Sequence, residues 1–257
     1  MRIGVDVGGT NTDAVLMDGP KVVAKIKTPT TDDVTSGITT ALRHILESSG
    51  TSVADVAGVM IGTTHFTNAV VERRRLEPTA AVRLGLPATL GLPPMVDWPD
   101  DLAEAIGRHA YLCHGGSEFD GRPIAPLDEA ELRAAAADIA AKGITAVAIT
   151  AVFSPVSPEM EERAARILLE ETPDLEITLS GEIGRVGLLE RENAAILNAC
   201  LRPLARETIA AFERAIADLG IAAPLYLTQN DGTLMSAEFA ERYPVLTFAS
   251  GPTNSMR

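Results

Sequence analysis

Cysteine is scarce in this chain: two residues, Cys113 and Cys200, among 257. They lie far apart with no Cys-x-x-Cys pair, which excludes a disulfide framework and a thiolate zinc site. Two reduced thiols are what a cytoplasmic protein carries. Basic charge is also short. Lys and Arg number 22 against 35 Asp and Glu, for a formal net charge of −13. No cationic surplus exists to neutralise nucleic-acid phosphates, so nucleic acid is not expected as a partner. The same field opposes small anions, and a phosphate site here must work through local backbone donors and a metal ion. No apolar run reaches the ~18–20 residues of a membrane span. The first residues lack the basic-then-apolar layout of a signal peptide, so a cytoplasmic, non-membrane protein is expected. Aromatic residues make up only 4%. A hydrophobic content of 46% with 22% charged residues suits alanine-rich helices packed on a sheet. A chain of this length buries a sizeable core as one large domain or two small ones.

What is present begins at residue 3. Ile3, Val5 and Val7 alternate with Gly4, Asp6 and Gly8, the period of a strand. The strand runs into Gly8-Gly9-Thr10-Asn11-Thr12-Asp13. Glycines at 8 and 9 admit backbone angles closed to other residues and let N–H groups approach an anion. Thr10 and Thr12 add hydroxyl donors, and Asp6 stands where a carboxylate holds hydrated Mg²⁺ beside a phosphate. An ordinary Gly-rich hairpin turn is the plain alternative. The full combination Asp-x-Gly-Gly-Thr-x-Thr-Asp favours the phosphate hairpin.

The pattern along the chain predicts strands at 2–7, 12–17 and 22–28, a helix at 32–49, a strand at 56–62, a helix at 64–74 and a strand at 79–84. Three antiparallel strands followed by alternating helix and strand mark an α/β, ribonuclease-H-like unit with a mixed sheet and flanking helices. Residues 86–126 are rich in proline and glycine and lack a sustained period. They read as an irregular insert with a short helix near 100–107. Helices at 128–142 and 157–171 then alternate with strands at 146–153 and 176–179. A long helical stretch, 186–219, contains Pro203, where a kink or a fresh first turn is expected. A strand at 225–228 and a turn at 229–233 follow. The expected division is a first domain at 1–180, with the 86–126 insert, and at 181–257 the long helix and the start of a second half.

Two blocks carry a family resemblance: Asp6–Asp13, and Gly62-Thr63-Thr64-His65-Phe66-Thr67-Asn68-Ala69-Val70-Val71-Glu72-Arg73. Together they resemble the N-terminal part of the hydantoinase A/5-oxoprolinase family, which includes acetone and acetophenone carboxylase subunits. Leu189-Glu190-Arg191-Glu192-Asn193 through Leu197-Asn198-Ala199 is similar to a further family helix. Gln229–Met235 and Ser250-Gly251-Pro252 are similar to two later turns. Leu189 stands where the family has Tyr, and Thr253-Asn254-Ser255 replaces Ala-Gly-Gly. Both departures touch substrate-pocket detail.

The resemblance implies an actin/sugar-kinase-like ATPase fold in which two ribonuclease-H-like halves clamp ATP. The family's second phosphate hairpin follows the Ser-Gly-Pro turn, so the chain is expected to be truncated before it and inactive alone. In that reading Gly8, Gly9 and Thr10 cradle phosphates, Asp6 binds Mg²⁺ through water, and Asn11, Thr12 and Asp13 complete the hairpin. Thr63 and Thr64 open a helix N-terminus, which favours anions; an N-cap role is equally open. His65, Asn68, Asn193, Asn198, Asn230, Gly232 and Gly251 are candidate substrate or nucleotide contacts. For Asn193 and Asn198, a buried amide satisfied by its surroundings is the alternative. Glu72-Arg73 and Glu190-Arg191 read as exposed ion pairs. His109 and His114 lack carboxylate or cysteine partners at metal spacing, and no zinc site is read there.

The implied activity is ATP-dependent ring opening of a cyclic amide such as a hydantoin or 5-oxoproline. The chain would be the ATP-binding A-type subunit of an oligomer with a B-type subunit, using ATP and Mg²⁺. Phosphorylating the poorly electrophilic lactam oxygen supplies a leaving group for attack by water. A ketone carboxylase subunit, a sugar-kinase-like phosphotransferase and a non-catalytic nucleotide-binding regulator are the alternatives. The catalytic residues are not identified by sequence, and residues 86–126 are the preferred specificity element.

Overall fold

The computed structural model describes residues 1–30 and 34–250. The first residues of the predicted 32–49 helix, and Gly251, lie outside them. The elements in chain order are β1 (Arg2–Val7), β2 (Asn11–Asp18), β3 (Lys21–Pro29), α1 (Val34–Ser49), β4 (Gly58–Thr63), α2 (His65–Glu72) and β5 (Thr79–Leu86). Next come α3 (Asp100–Ala105), β6 (His109–His114), α4 (Glu129–Ala141), β7 (Ala146–Ala151), α5 (Glu159–Glu171) and β8 (Glu176–Leu179). The last are α6 (Leu188–Asp218), β9 (Leu225–Thr228), β10 (Leu234–Ser236) and α7 (Ala237–Arg242). None of the helices among the described residues is long and apolar enough to cross a membrane.

Two compact units result, residues 1–72 with 202–257, and residues 73–201. The boundaries therefore fall away from residue 180, inside α6 and after α2. Residues 225–236 do not open a separate half: β9 pairs parallel to β4, and β10 pairs antiparallel to β9. Backbone pairing between segments about 160 residues apart leaves no trace in local pattern.

The first unit is built on a six-stranded mixed sheet in the order β10-β9-β4-β1-β2-β3. Strand alternation gives it two unlike faces. Ile3, Val5, Val7, Ala14 and Leu16 are buried, and α1 packs against β2 and β3. Ile38, Leu42 and Ile45, spaced along one stripe of α1, are fully buried. Each contributes about 1.5–3 kcal/mol by leaving water. The intervening residues, Gly4 and Asp6 on β1 and Asp13 and Val15 on β2, line a cavity on the other face.

The second unit holds an all-parallel sheet in the order β6-β5-β7-β8. All six residues of β7 are buried, as a parallel strand covered on both faces requires. Leu132, Ala136 and Ile139 of α4 and Ala164, Ile167 and Leu168 of α5 join Val82, Leu84, Val147 and Ile149 in one core. Asp128 caps α4 by accepting from the N–H groups of Ala130 and Glu131. Gly143, at φ 68°, ends the helix in the left-handed conformation. The 86–126 segment is not wholly irregular. It contributes β6, which runs beside β5 and forms an edge of this sheet. His-Ala-Tyr-Leu-Cys-His has no clean alternation, so only the pairing reveals the strand.

This unit's interior also holds charge. Arg83 and Glu192 are 0% and 1% exposed at their side chains and pair through Nε and Oε1 at 2.7 Å and through a second contact between Nη2 and Oε2. Glu161 accepts from the Ala151 N–H at 2.8 Å, the Ser180 hydroxyl at 2.6 Å and the Gly181 N–H at 3.0 Å. Arg191, 1% exposed, donates to Ser180 Oγ at 2.8 Å and to the carbonyls of Ala151, Arg185 and Val186. The reading of Glu190-Arg191 as an exposed ion pair is thus corrected. Arg191 is a core guanidinium that satisfies carbonyls, as burial of an unpaired cation demands. Glu72-Arg73 is corrected likewise, since Arg73 pairs with Asp101 at 3.1 Å. Cys113 and Cys200 are buried free thiols. Burial pushes both up to about 12, aided at Cys113 by the charges of Glu131 and Asp128, so both stay protonated.

Candidate functional site

The site is built on the open face of the first unit's sheet. Register places Gly62 on β4 beside Asp6, Asp6 beside Asp13, and Asp13 beside Lys27 on β3. Directly opposed residues share a face, so Gly62, Asp6, Asp13 and Lys27 form one row across four strands. All four line a cavity of ≈ 770 Å³, with Gly4, Lys25, Met60 and Thr228 also in its wall. Glycines at 4 and 62 leave the floor without side chains at these positions. Lys27 Nζ holds Asp13 at 3.1 Å. The row thus carries two carboxylates against one salt-bridged lysine.

Opposed like charges repel across strands. The Asp6 carboxylate is accessible to solvent, yet enough protein surrounds it that desolvation raises its pKa. The Asp13 charge raises it further, while Lys27 opposes. A cation placed beside Asp6 would relieve both effects. The donors are hard carboxylate oxygens of the kind that bind Mg²⁺ directly or through water, so these residues fit that ion.

The turn at the end of β1 sits beside this row. Its glycines do not work as their residue type suggested: neither Gly8 nor Gly9 has a positive φ. Gly8 is required by space, because a Cβ there would lie 3.1 Å from the Asn11 carbonyl. The Gly8 N–H donates to that carbonyl at 3.0 Å and is not available to a phosphate. The N–H groups of Gly9 and Thr10 take no part in closing the turn among the described residues. Thr12 is also corrected. It is 1% exposed, and its hydroxyl meets Thr30 Oγ1 at 3.2 Å, facing inward. Thr30 locks the turn, donating through its hydroxyl to the Gly8 carbonyl at 2.8 Å and through its N–H to the Thr10 carbonyl at 2.9 Å.

The start of α2 packs beside the turn. The Thr64 N–H donates to the Val7 carbonyl at 3.4 Å, and Asn68 Nδ2 lies 3.8 Å from where a Gly9 Cβ would stand. Thr63 is buried, one residue ahead of the N-cap position, and its hydroxyl accepts from the His65 N–H at 3.1 Å, while Thr64 holds the cap position and its carbonyl accepts from the Asn68 N–H at 2.8 Å. Thr64 Oγ1 accepts from Asn68 Nδ2 at 3.4 Å. His65 stands edge-on to Phe66, ring centroids 6.5 Å apart. Asn230 and Gly232 belong to the turn after β9. The Asn230 N–H donates to the Leu246 carbonyl at 2.8 Å, and Gly232, at φ 80°, closes the turn.

Asn193 and Asn198 lie in the other unit. Asn193 accepts from the Trp98 indole at 2.8 Å and donates to Asp97, tying down the 86–126 segment. Asn198 is buried and donates to Thr178 Oγ1 at 3.3 Å. Sequence reasoning overlooked Lys25, Lys27, Gly62, Thr228 and Thr30. Lys25 and Lys27 alternate with Ala24 and Ile26, a period-2 signal that marks one strand face but not which cavity it meets.

A mixed α/β sheet with flanking helices and a Gly-Gly turn beside facing carboxylates is the architecture of an actin-like ATPase. The chain belongs to the hydantoinase/oxoprolinase family: residues 2–172 match the family's N-terminal region, and residues 191–257 match its hydantoinase/oxoprolinase model. It is 28% identical to the caprolactamase subunit alpha of Pseudomonas jessenii, over 99% of this chain and 39% of that one. The crystal structure of the ATP-dependent caprolactamase from Pseudomonas jessenii superposes with a TM-score of 0.82 at 26% identity, covering 99% of this chain and 39% of that one. The acetophenone carboxylase gamma subunit of Aromatoleum aromaticum is 26% identical over 97% of this chain and 37% of its own length. The chain therefore spans about two fifths of the length of these relatives.

Proposed function

We propose that this chain is the nucleotide-binding N-terminal part of an A-type subunit that uses ATP to open a cyclic amide. The observation that carries the reading is the Gly62–Asp6–Asp13–Lys27 row beside the Gly8-Gly9-Thr10 turn. Asp6 would hold Mg²⁺ through water, Lys25 and Lys27 would supply positive charge at the cavity wall, and the N–H groups of Gly9 and Thr10 would meet phosphate oxygens. Bound Mg-ATP supplies the phosphoryl group that converts a lactam oxygen into a leaving group. The protein's part is to position phosphate and neutralise its charge. Asn68 and the start of α2 brace the turn. A B-type subunit and a cyclic-amide substrate complete the proposal, and the caprolactamase relative supports that substrate class. The acetophenone carboxylase relative supports a second reading, ATP-dependent activation of a ketone.

Calorimetric titration of Mg-ATP into this chain, and into the full-length protein with its partner, tests the proposal. Binding that is lost in Asp6→Asn, with lactam-dependent phosphate release by the complete assembly, supports the hydrolase. Release dependent on a ketone and bicarbonate supports the carboxylase. Binding unaffected by Asp6→Asn removes the row from the site.

A further inference from the structure

We propose that His114, Asp128 and Glu131 form a divalent-cation site in the unit of residues 73–201. His114 ends β6, Asp128 caps α4, and Glu131 stands in the first turn of α4. Fourteen or more residues separate the histidine from the carboxylates, so no ligand spacing shows in the sequence. The fold gathers them: one donor atom from each lies within 4.8 Å of those of the other two. A first-row cation binds N and O donors at about 2.0–2.2 Å, with ligand atoms about 3–3.6 Å apart. Small side-chain rotations at a partly exposed site close that difference.

Several features favour a cation over a merely hydrogen-bonded cluster. Glu131 Oε2 accepts from the His114 backbone N–H at 2.7 Å, and Oε1 faces the ring Nδ1 at 2.8 Å. That contact sets His114 Nδ1 and Glu131 Oε1 side by side, so a cation that displaces the proton between them would take one donor from each. The cap of α4 uses only Oδ1 of Asp128, which accepts from Ala130 at 2.9 Å and Glu131 at 3.1 Å. No Lys or Arg among the described residues pairs with Asp128 or Glu131. The adjacent Glu129, by contrast, is held by Arg163 at 2.7 Å. Two carboxylates that no Lys or Arg among the described residues neutralises thus stand beside one imidazole.

His114 and Asp128 also line a cavity of ≈ 380 Å³, with Pro126, Leu127 and Glu129 in its wall. Mixed nitrogen and oxygen donors select a borderline ion such as Zn²⁺, Mn²⁺ or Co²⁺ over Ca²⁺, which takes oxygen alone. Three protein ligands leave coordination positions for water or a ligand oxygen.

The test is titration of Co²⁺ and Zn²⁺ into the chelator-stripped full chain carrying Asp6→Asn and Asp13→Asn, which removes the other candidate cation site. Calorimetry reads stoichiometry, and the visible Co²⁺ bands read nitrogen ligation. One equivalent is expected. His114→Asn should abolish the ligand-field bands, and Glu131→Gln should weaken binding about tenfold or more. Asp128→Ser keeps a capping hydroxyl but removes the ligand, so it should weaken binding while leaving the metal-free melting temperature close to the parent value. Binding indifferent to all three substitutions, or no stoichiometric binding, overturns the site.

Discussion

The sheet of residues 1–72 and 202–257 has one covered and one open face, whereas the sheet of residues 73–201 is covered on both. Each places charge accordingly. In the first, Asp6, Asp13 and Lys27 line an open cavity in water's reach. In the second, Arg83, Glu192, Glu161 and Arg191 are sealed inside and satisfied almost entirely by one another and by backbone groups. The same residue types therefore carry opposite meanings. An exposed, mutually repelling pair of carboxylates is disposed to take a ligand, while a buried ion pair with closed hydrogen bonds holds elements in register.

Breaking the buried pair should give the largest effect. Glu192→Ala leaves the Arg83 guanidinium sealed and unpaired, and should cost about 3–5 kcal/mol in denaturant unfolding. The double change Arg83→Met with Glu192→Leu should recover much of that loss, because the pair's own net worth is small. A loss near zero in the single variant would mean that water reaches Arg83.

The open row should respond in function rather than stability. Asp6→Asn removes a repulsion and should leave unfolding free energy unchanged or raised by about 0.2–1 kcal/mol, while Mg-ATP affinity falls about tenfold or more. A variant that loses stability and affinity together would make Asp6 structural. Gly8→Val tests the turn beside it. The added side chain must displace the Asn11 carbonyl, which would disturb the N–H groups of Gly9 and Thr10 and weaken nucleotide binding. Thermal unfolding read alongside titration separates the two effects.

Asn198→Ala sharpens the contrast from the other side. It should lose about 0.5–1.5 kcal/mol for its bond to Thr178 with nucleotide affinity unchanged. The smallest effect is in pH dependence. The folded-state pKa of Asp6 is raised above its ordinary 3.8. Folding then favours its protonated form, and that contribution is present at low pH and is lost as pH rises through the raised pKa. The difference in stability between Asp6→Asn and the parent should therefore grow in the variant's favour across that window and level off above it. Solvent screening keeps the amplitude small.

Much of the first sheet was legible because its signals are local. Ile3, Val5 and Val7 alternate, Gly8-Gly9 ends the strand, and Ile38, Leu42 and Ile45 mark one face of α1. Strands β1 and β8 and the body of α6 follow from periodicity alone. The turn's chemistry was only half legible. Gly8 and Gly9 suggested donors, but which N–H groups are used up depends on the Asn11 carbonyl and on Thr30, twenty-two residues from Gly8. β6 was hidden because its six residues lack alternation, and α7 because it is short.

By itself the sequence determined the family, the α/β class, the hairpin with Asp6 and the absence of a disulfide framework, because each rests on residue types at short spacing. Tertiary structure alone decided that β9 completes the first sheet, that Lys27 stands beside Asp13, that Arg191 and Glu192 are core, and that His114 meets Asp128 and Glu131. Those are matters of register and burial between distant segments. Coulomb energy and desolvation depend on what surrounds a charge, and a chain's order does not say which neighbours the fold will supply.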